Sequence, residues 1–255
     1  MLLCFDIGNT NTVIGCFEAD VLKAEIRISS SRERTSDEYS SLVLTLLNQK
    51  VQILPESVSA AIISSVVPPL TPVFSKLIED LFKVTPLIVG TGIKTGISIR
   101  VAEPTSVGAD RIVNALAARE LFGSPALVVD FGTATSFDYV SDKGEYEGGA
   151  IAPGIQLSLD ALARNTAKLP RIEIAWPKMV VGKNTISAMQ SGTVVGYMCM
   201  VDGLIERFEK EVGPIKHVIA TGGLGRLFTE HSAKIHRYEA HLTLMGLRLI
   251  AVLNT

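Results

Sequence analysis

Apolar and polar positions alternate in short blocks from the first residues onward. Residues 2–7, 12–18 and 21–29 read as three consecutive strands joined by tight polar turns. Ser36-Asp37-Glu38 then opens a helix, with a capping residue followed by acids where the helix dipole favours negative charge. Tyr39, Leu42, Val43, Leu46 and Leu47 recur at helical spacing and form its apolar face. Ala60 to Val66 reads as an apolar strand, and Pro68-Pro69 breaks the chain. Leu70 to Phe82 is a second helix and Pro86 to Val89 a short strand, giving the order βββ-α-β-α-β.

The second half repeats this order. Ala126–Val129, Thr135–Val140 and Tyr146–Ala152 read as strands, followed by a helix near Gln156–Ala163. A long helical stretch runs from Thr185 to about Glu211. Within it, the uncharged segment Ser187 to Val201 is too short to span a bilayer and reads as a buried helix. His217–Ala220 is a strand ending in Thr221-Gly222-Gly223, and two helical segments close the chain, the last from Ala240 to Leu253. Strands and helices mixed in this way indicate an α/β fold with helices on the sheet faces. The expected division is 1–106 and 107–255, with a linking helix at about 107–121.

One local pattern occurs twice. Leu3-Cys4-Phe5-Asp6-Ile7-Gly8-Asn9-Thr10-Asn11-Thr12 and Val128-Val129-Asp130-Phe131-Gly132-Thr133-Ala134-Thr135-Ser136 are both apolar runs ending in Asp-x-Gly, followed by hydroxyl or amide residues. Asp130 follows Asp6 by 124 residues (130 − 6), about half the chain. Glycine lets a backbone approach a ligand closely, and successive N–H groups in such a turn form an anion-binding concavity. A carboxylate beside a phosphate needs a cation between them, and Mg²⁺ is held by one or two carboxylates plus phosphates and waters. A plain hairpin with a turn Asp explains one copy. Two copies suggest similar halves facing each other across a cleft, each offering a turn to one phosphate-bearing ligand.

Composition narrows the class. The chain has 255 residues, 47% hydrophobic and 20% charged, which is ample for a core. A net charge of −2 argues against a nucleic-acid footprint. Cys4, Cys16 and Cys199 have no C-x-x-C spacing and read as reduced core thiols of a cytosolic protein. Asp6 interrupts the first apolar run, so no signal peptide is expected. Gly90 to Gly96 lacks the order G-x-x-x-x-G-K-[ST] and reads as a connection. The four histidines show no metal-site spacing, and Trp176 reads as packing.

Together, Asp6-Ile7-Gly8-Asn9-Thr10-Asn11, Gly108-Ala109-Asp110-Arg111, Asp130-Phe131-Gly132-Thr133-Ala134-Thr135 and Thr221-Gly222-Gly223 resemble the type III pantothenate kinases, of the acetate and sugar kinase/Hsp70/actin superfamily. Gly-Ala-Asp-Arg and Gly148-Gly149-Ala150-Ile151-Ala152-Pro153-Gly154 are the motifs specific to that family. The resemblance implies two ribonuclease H-like (actin-like ATPase) halves of βββαβα order around a nucleotide cleft. It implies ATP-dependent phosphorylation of pantothenate to 4'-phosphopantothenate, the first step toward coenzyme A, in a cytoplasmic homodimer. It implies Mg²⁺ and a monovalent cation, K⁺ or NH₄⁺.

Carried over position by position, Asp6, Ile7, Gly8, Asn9, Thr10, Asn11, Thr12 and Val13 match the first phosphate hairpin, and Thr133 a second phosphate contact. Asp6 would meet Mg²⁺ through water or phosphate, and Asp130 matches the monovalent-cation position. Gly108, Ala109, Asp110, Arg111 and Thr185 match pantothenate contacts, with Asp110 the proton acceptor. From the residues alone, Asp110 and Arg111 also read as a surface ion pair, and Thr185 as a helix N-cap. The family often carries a Tyr three residues ahead of a Pro; here Val101 precedes Pro104, so that part of the substrate pocket differs. The alternatives are a non-catalytic nucleotide-binding transcriptional accessory factor of the same family, or another superfamily kinase or phosphatase.

Overall fold

The computed structural model describes residues 1–52 and 54–255. It forms two compact units, Met1–Leu121 with His241–Thr255, and Phe122–Ala240. The expected 1–106 and 107–255 division differs from this at both ends.

In the first unit, β1 (Leu2–Ile7), β2 (Asn11–Glu18) and β3 (Val21–Ser29) form an antiparallel meander. α1 (Ser36–Val51) leads to β4 (Ala60–Ser65), which lies parallel to β1. α2 (Thr71–Phe82) then leads to β5 (Leu87–Ile88), giving the sheet order β3-β2-β1-β4-β5. Thr35, not Ser36, caps α1. Its side chain accepts from the Glu38 backbone N–H, and the Glu38 carboxylate accepts from the Thr35 backbone N–H at 2.8 Å. This is a reciprocal capping box.

Alternation along β1 puts Leu3, Phe5 and Ile7 on one face, where they join Ala61, Ile63, Tyr39, Val43, Phe74 and Leu77 in a buried core under α1 and α2. Each large side chain so buried contributes roughly 1.5–3 kcal/mol. The opposite face, which carries Cys4 and Ile62 and, at its carboxyl end, Asp6 and Ser64, packs against α8 (Leu242–Leu253) along β1 and β4.

α8 belongs to this unit because its glycine fits against α3 (Ala109–Phe122). A Cβ on Gly246 would stand 2.3 Å from the Val113 carbonyl oxygen. Thr243 also donates to Asn114 Oδ1 at 2.8 Å. α3 therefore packs as an integral helix of the first unit, with Ile112 to Ala118 buried.

The second unit repeats the topology. β6 (Ala126–Phe131), β7 (Ala134–Val140) and β8 (Tyr146–Pro153) form the meander. β9 (His217–Thr221) lies parallel to β6, and β10 (Arg237–Tyr238) completes the order β10-β9-β6-β7-β8. Between β8 and β9 run α4 (Ile155–Asn165), α5 (Thr185–Gln190), a π turn (Ser191–Val195) and α6 (Gly196–Val212); α7 (Gly225–Thr229) follows β9.

The stretch expected as a buried helix is amphipathic instead. Met189, Val194, Met198 and Val201 are buried, but Gly192, Gly196 and Cys199 are exposed. Cys199 is thus a surface thiol, unlike the buried Cys4 and Cys16. Burial pushes the Cys16 thiol up to about 11 and that of Cys4 higher still, which keeps both protonated. Among the described residues no helix is long and apolar enough to cross a membrane.

Candidate active site

The first Asp-x-Gly turn is built by backbone hydrogen bonds. Gly8 N–H donates to the Asn11 carbonyl at 3.0 Å, and a Cβ on Gly8 would stand 3.0 Å from that oxygen. Ser30 N–H donates to the Thr10 carbonyl at 2.9 Å, and the Thr12 and Ser30 hydroxyls share a hydrogen bond at 2.9 Å. Thr12 is thereby buried, Val13 is half-buried, and Asn9, Thr10 and Asn11 are exposed at the tip. Asp6 is half-buried at the end of β1, in register with Val13 on one side and Ser64 on the other.

The end of β4 connects this turn to Gly108. Val66 N–H donates to the Ile7 carbonyl at 3.1 Å, and Val66 Cγ1 lies 3.5 Å from where a Gly108 Cβ would be. Gly108 immediately precedes α3, and its carbonyl accepts from the Arg111 and Ile112 N–H groups at 3.1 and 3.3 Å. Asp110 stands in the first turn of α3, where Oδ1 accepts from Arg111 N–H at 2.8 Å. Unpaired N–H groups and the dipole at a helix start favour the ionised carboxylate. In the first unit Val66 thus links the end of β1, which carries the Asp6 turn, to Gly108 at the start of α3.

In the second unit, glycines close around the Asp130 turn. A Cβ on Gly154 would lie 2.3 Å from the Thr133 carbonyl oxygen, and Gly154 N–H donates to that oxygen at 3.1 Å. Gly222, at φ +85°, is held so close that a Cβ would be 2.6 Å from Asp130 Oδ1 and 2.7 Å from the Phe131 carbonyl oxygen. Thr133 is exposed. Thr135 is buried and hydrogen-bonded to the Tyr197 hydroxyl. Burial raises the Tyr197 phenol above the ordinary tyrosine range, against the lowering effect of that hydrogen bond.

Thr185 is elsewhere in the second unit, exposed at the first position of α5. The cap there is Asn184, whose Oδ1 accepts from Ser187 N–H at 2.8 Å. An open cavity of about 430 Å³ lies beside it, lined by Trp176, Met179, Val181, Lys183, Ser187 and Gln190. Trp176 stacks on His231 with ring centroids 3.8 Å apart.

Among the described residues no three His, Cys, Asp or Glu side chains converge on one point. Asp6 and Asp130 are single carboxylates, each at a strand end. This donor set fits cations that take their remaining ligands from phosphate, water and backbone carbonyls.

Residues 2–207 match the family model for type III pantothenate kinase. The chain belongs to this family. The type III pantothenate kinase of Exiguobacterium sp. (strain ATCC BAA-1283 / AT1b) is 49% identical over 250 residues, covering 98% of both chains. That of Myxococcus xanthus (strain DK1622) is 51% identical over 251 residues, covering 98% of this chain and 97% of that protein.

Among solved structures, a Campylobacter jejuni protein described as a Baf family transcriptional activator superposes with a TM-score of 0.63 at 18% identity, covering 98% of this chain and 97% of that one. The ADPNP-bound activator of the 2-hydroxyisocaproyl-CoA dehydratase from Clostridium difficile gives 0.56 at 13% identity, covering 99% and 93%. At these identities the likeness is one of fold, the actin-like α/β fold of two similar halves. Val101 is half-buried, just ahead of the 3₁₀ turn Pro104–Ser106.

Sequence reasoning missed Val66, which joins the first turn to Gly108, and Ser64, which lies in register with Asp6. The available signal was a pair of serines ending an otherwise apolar strand.

Proposed function

We propose that this protein transfers the γ-phosphoryl group of ATP to the terminal hydroxyl of pantothenate, forming 4'-phosphopantothenate and ADP. The observation that carries the reading is the placement of Asp110 at the start of α3, joined through Val66 to the Asp6 turn. The hydroxyl oxygen forms the new P–O bond as the bond to ADP breaks, and the hydroxyl proton passes to an Asp110 carboxylate oxygen. In a loose transition state that proton leaves late, so a weak, ionised, well-placed base suffices. Gly108, Ala109 and Arg111 bound the space beside Asp110, and Arg111 offers its guanidinium to the carboxylate of pantothenate. Thr185 contributes a second substrate contact.

Asp6 would hold Mg²⁺, through water or phosphate, and Asp130 would hold the monovalent cation. The cations, when bound, neutralise charge on the phosphates. Backbone N–H groups from Gly8 to Asn11, with the side chains of Asn9, Thr10 and Asn11, bind phosphate oxygens, and Thr133 adds a further donor. The exposed apolar side chains Ile151, Leu157, Leu162, Met179, Val180 and Val181 support a homodimer formed through the second unit. We place the reaction in the cytoplasm, which supplies ATP.

The test is ADP release from ATP and Mg²⁺, with and without pantothenate, in K⁺ and then Na⁺ buffer. Release that requires pantothenate and is stimulated by K⁺ is expected. No pantothenate-dependent release in any cation would overturn the reading and favour the non-catalytic nucleotide-binding alternative.

A further inference from the structure

Ser64 is fully buried, and among the described residues its hydroxyl has no hydrogen-bond partner. Leaving a buried hydroxyl unpaired costs roughly 1–3 kcal/mol, so such a group calls for an explanation. Its neighbour shows the contrast. The Ser65 hydroxyl accepts from Thr71 Oγ1 at 2.9 Å and from Val67 N–H at 3.2 Å. Ser75 is also unpaired, but it lies within α2 and is only half-buried, whereas Ser64 is fully buried in a strand.

The position of Ser64 is specific. It is in register with Asp6 on the adjacent parallel strand. Directly opposed residues present their side chains on one face, here the face opposite to the α1 and α2 core. Both stand at the carboxyl ends of parallel strands, where α/β sheets bind their ligands. The second unit repeats the arrangement: Asp130 is in register with Thr221, another buried hydroxyl residue. Each half therefore sets a small hydroxyl beside its strand-end aspartate.

We propose that Ser64 is a positioning residue of the divalent-cation site at Asp6, donating its hydroxyl hydrogen to a water bound to that cation. The proposal rests on the kinase reading for the identity of the nucleotide, but its test does not require turnover.

Wild type and Ser64→Ala are compared in three measurements: melting of the ligand-free protein, ADPNP binding in EDTA, and Mn²⁺ titration of the ADPNP complex by electron paramagnetic resonance. We expect the ligand-free variant to melt at the same temperature as wild type or higher, because an unpaired hydroxyl has gone. Nucleotide binding in EDTA stays unchanged, while half-saturation by Mn²⁺ rises about 10-fold. Ser64→Thr, which retains a hydroxyl, restores part of the Mn²⁺ affinity. Unchanged Mn²⁺ affinity in Ser64→Ala overturns the proposal. So does a loss of ligand-free stability that accounts for the weaker Mn²⁺ binding. If wild type binds Mn²⁺ and ADPNP yet never phosphorylates pantothenate, the kinase reading fails and the proposal for Ser64 stands or falls separately.

Discussion

A methyl group on Gly108 would stand 2.5 Å from Oδ1 of Asp110, while its nearest other neighbour, Val66 Cγ1, is 3.5 Å away. The first distance is a collision and the second an ordinary contact. A Cβ at the glycine of Gly-Ala-Asp-Arg therefore meets the carboxylate two residues on and not the fold around it. Gly108→Ala should displace the carboxylate from its 2.8 Å hydrogen bond to Arg111 N–H. Misplacement on this scale costs about 100-fold in rate. We expect kcat to fall by about that factor with little change in melting temperature. A variant that keeps full activity would show that the Asp110 position does not matter.

Asp110→Asn keeps the shape of the side chain and removes its basicity. Loss of a general base costs about 10²–10⁴ in rate. Turnover should fall within that range while ADPNP affinity, measured by calorimetry, is spared. Unchanged turnover would remove Asp110 from the mechanism.

The duplicated fold was legible because its signal is local. Apolar runs, Asp-x-Gly turns and Pro breaks identify β1 to β4 and β6 to β9 directly. The assignment of α3 and α8 was not legible, since it depends on Gly246 meeting Val113, a contact between residues 133 positions apart (246 − 113). The capping box of α1 was present in Thr35-x-x-Glu38, one residue before the Ser chosen. Ser64 was hidden for a different reason: a serine in an apolar strand looks neutral until the register sets it beside Asp6.

Gly222 combines two constraints, a φ of +85° and a Cβ position 2.6 Å from Asp130 Oδ1. Gly222→Ala incurs backbone strain of about 1–3 kcal/mol and moves the carboxylate assigned to the monovalent cation. We expect a lower melting temperature together with a loss of the K⁺ stimulation of ADP release. Gly223→Ala is the control, because a Cβ there meets nothing within 4 Å. Equal K⁺ stimulation in both variants would detach Gly222 from the cation site.

His217 supplies a pH dependence. Burial, then the positive charges of Arg237, His236 and Lys216, hold its pKa below the ordinary histidine value. The folded state therefore favours the neutral ring, while the unfolded chain takes up a proton near pH 6.5. Stability from this source is complete above that pH and is lost as pH falls toward the folded value. Wild type should melt at a lower temperature at pH 5 than at pH 7, and His217→Gln should reduce the difference. An identical pH difference in the variant would assign the effect to other groups.

Val181 is 73% exposed and Met179 59%, both on the segment leading to Thr185. Water covers such side chains poorly, and a second copy of the chain would cover them at a gain of about 25 cal/mol per Å² of apolar surface. A carboxylate introduced there would have to be desolvated on association, a cost of several kcal/mol. Val181→Asp should therefore shift the mass measured by light scattering from dimer toward monomer while the circular dichroism spectrum is retained. If the second copy also shapes the substrate pocket, KM for pantothenate rises in the same variant and KM for ATP does not. A Val181→Asp protein that remains dimeric at low micromolar concentration would move the interface to another face of the molecule.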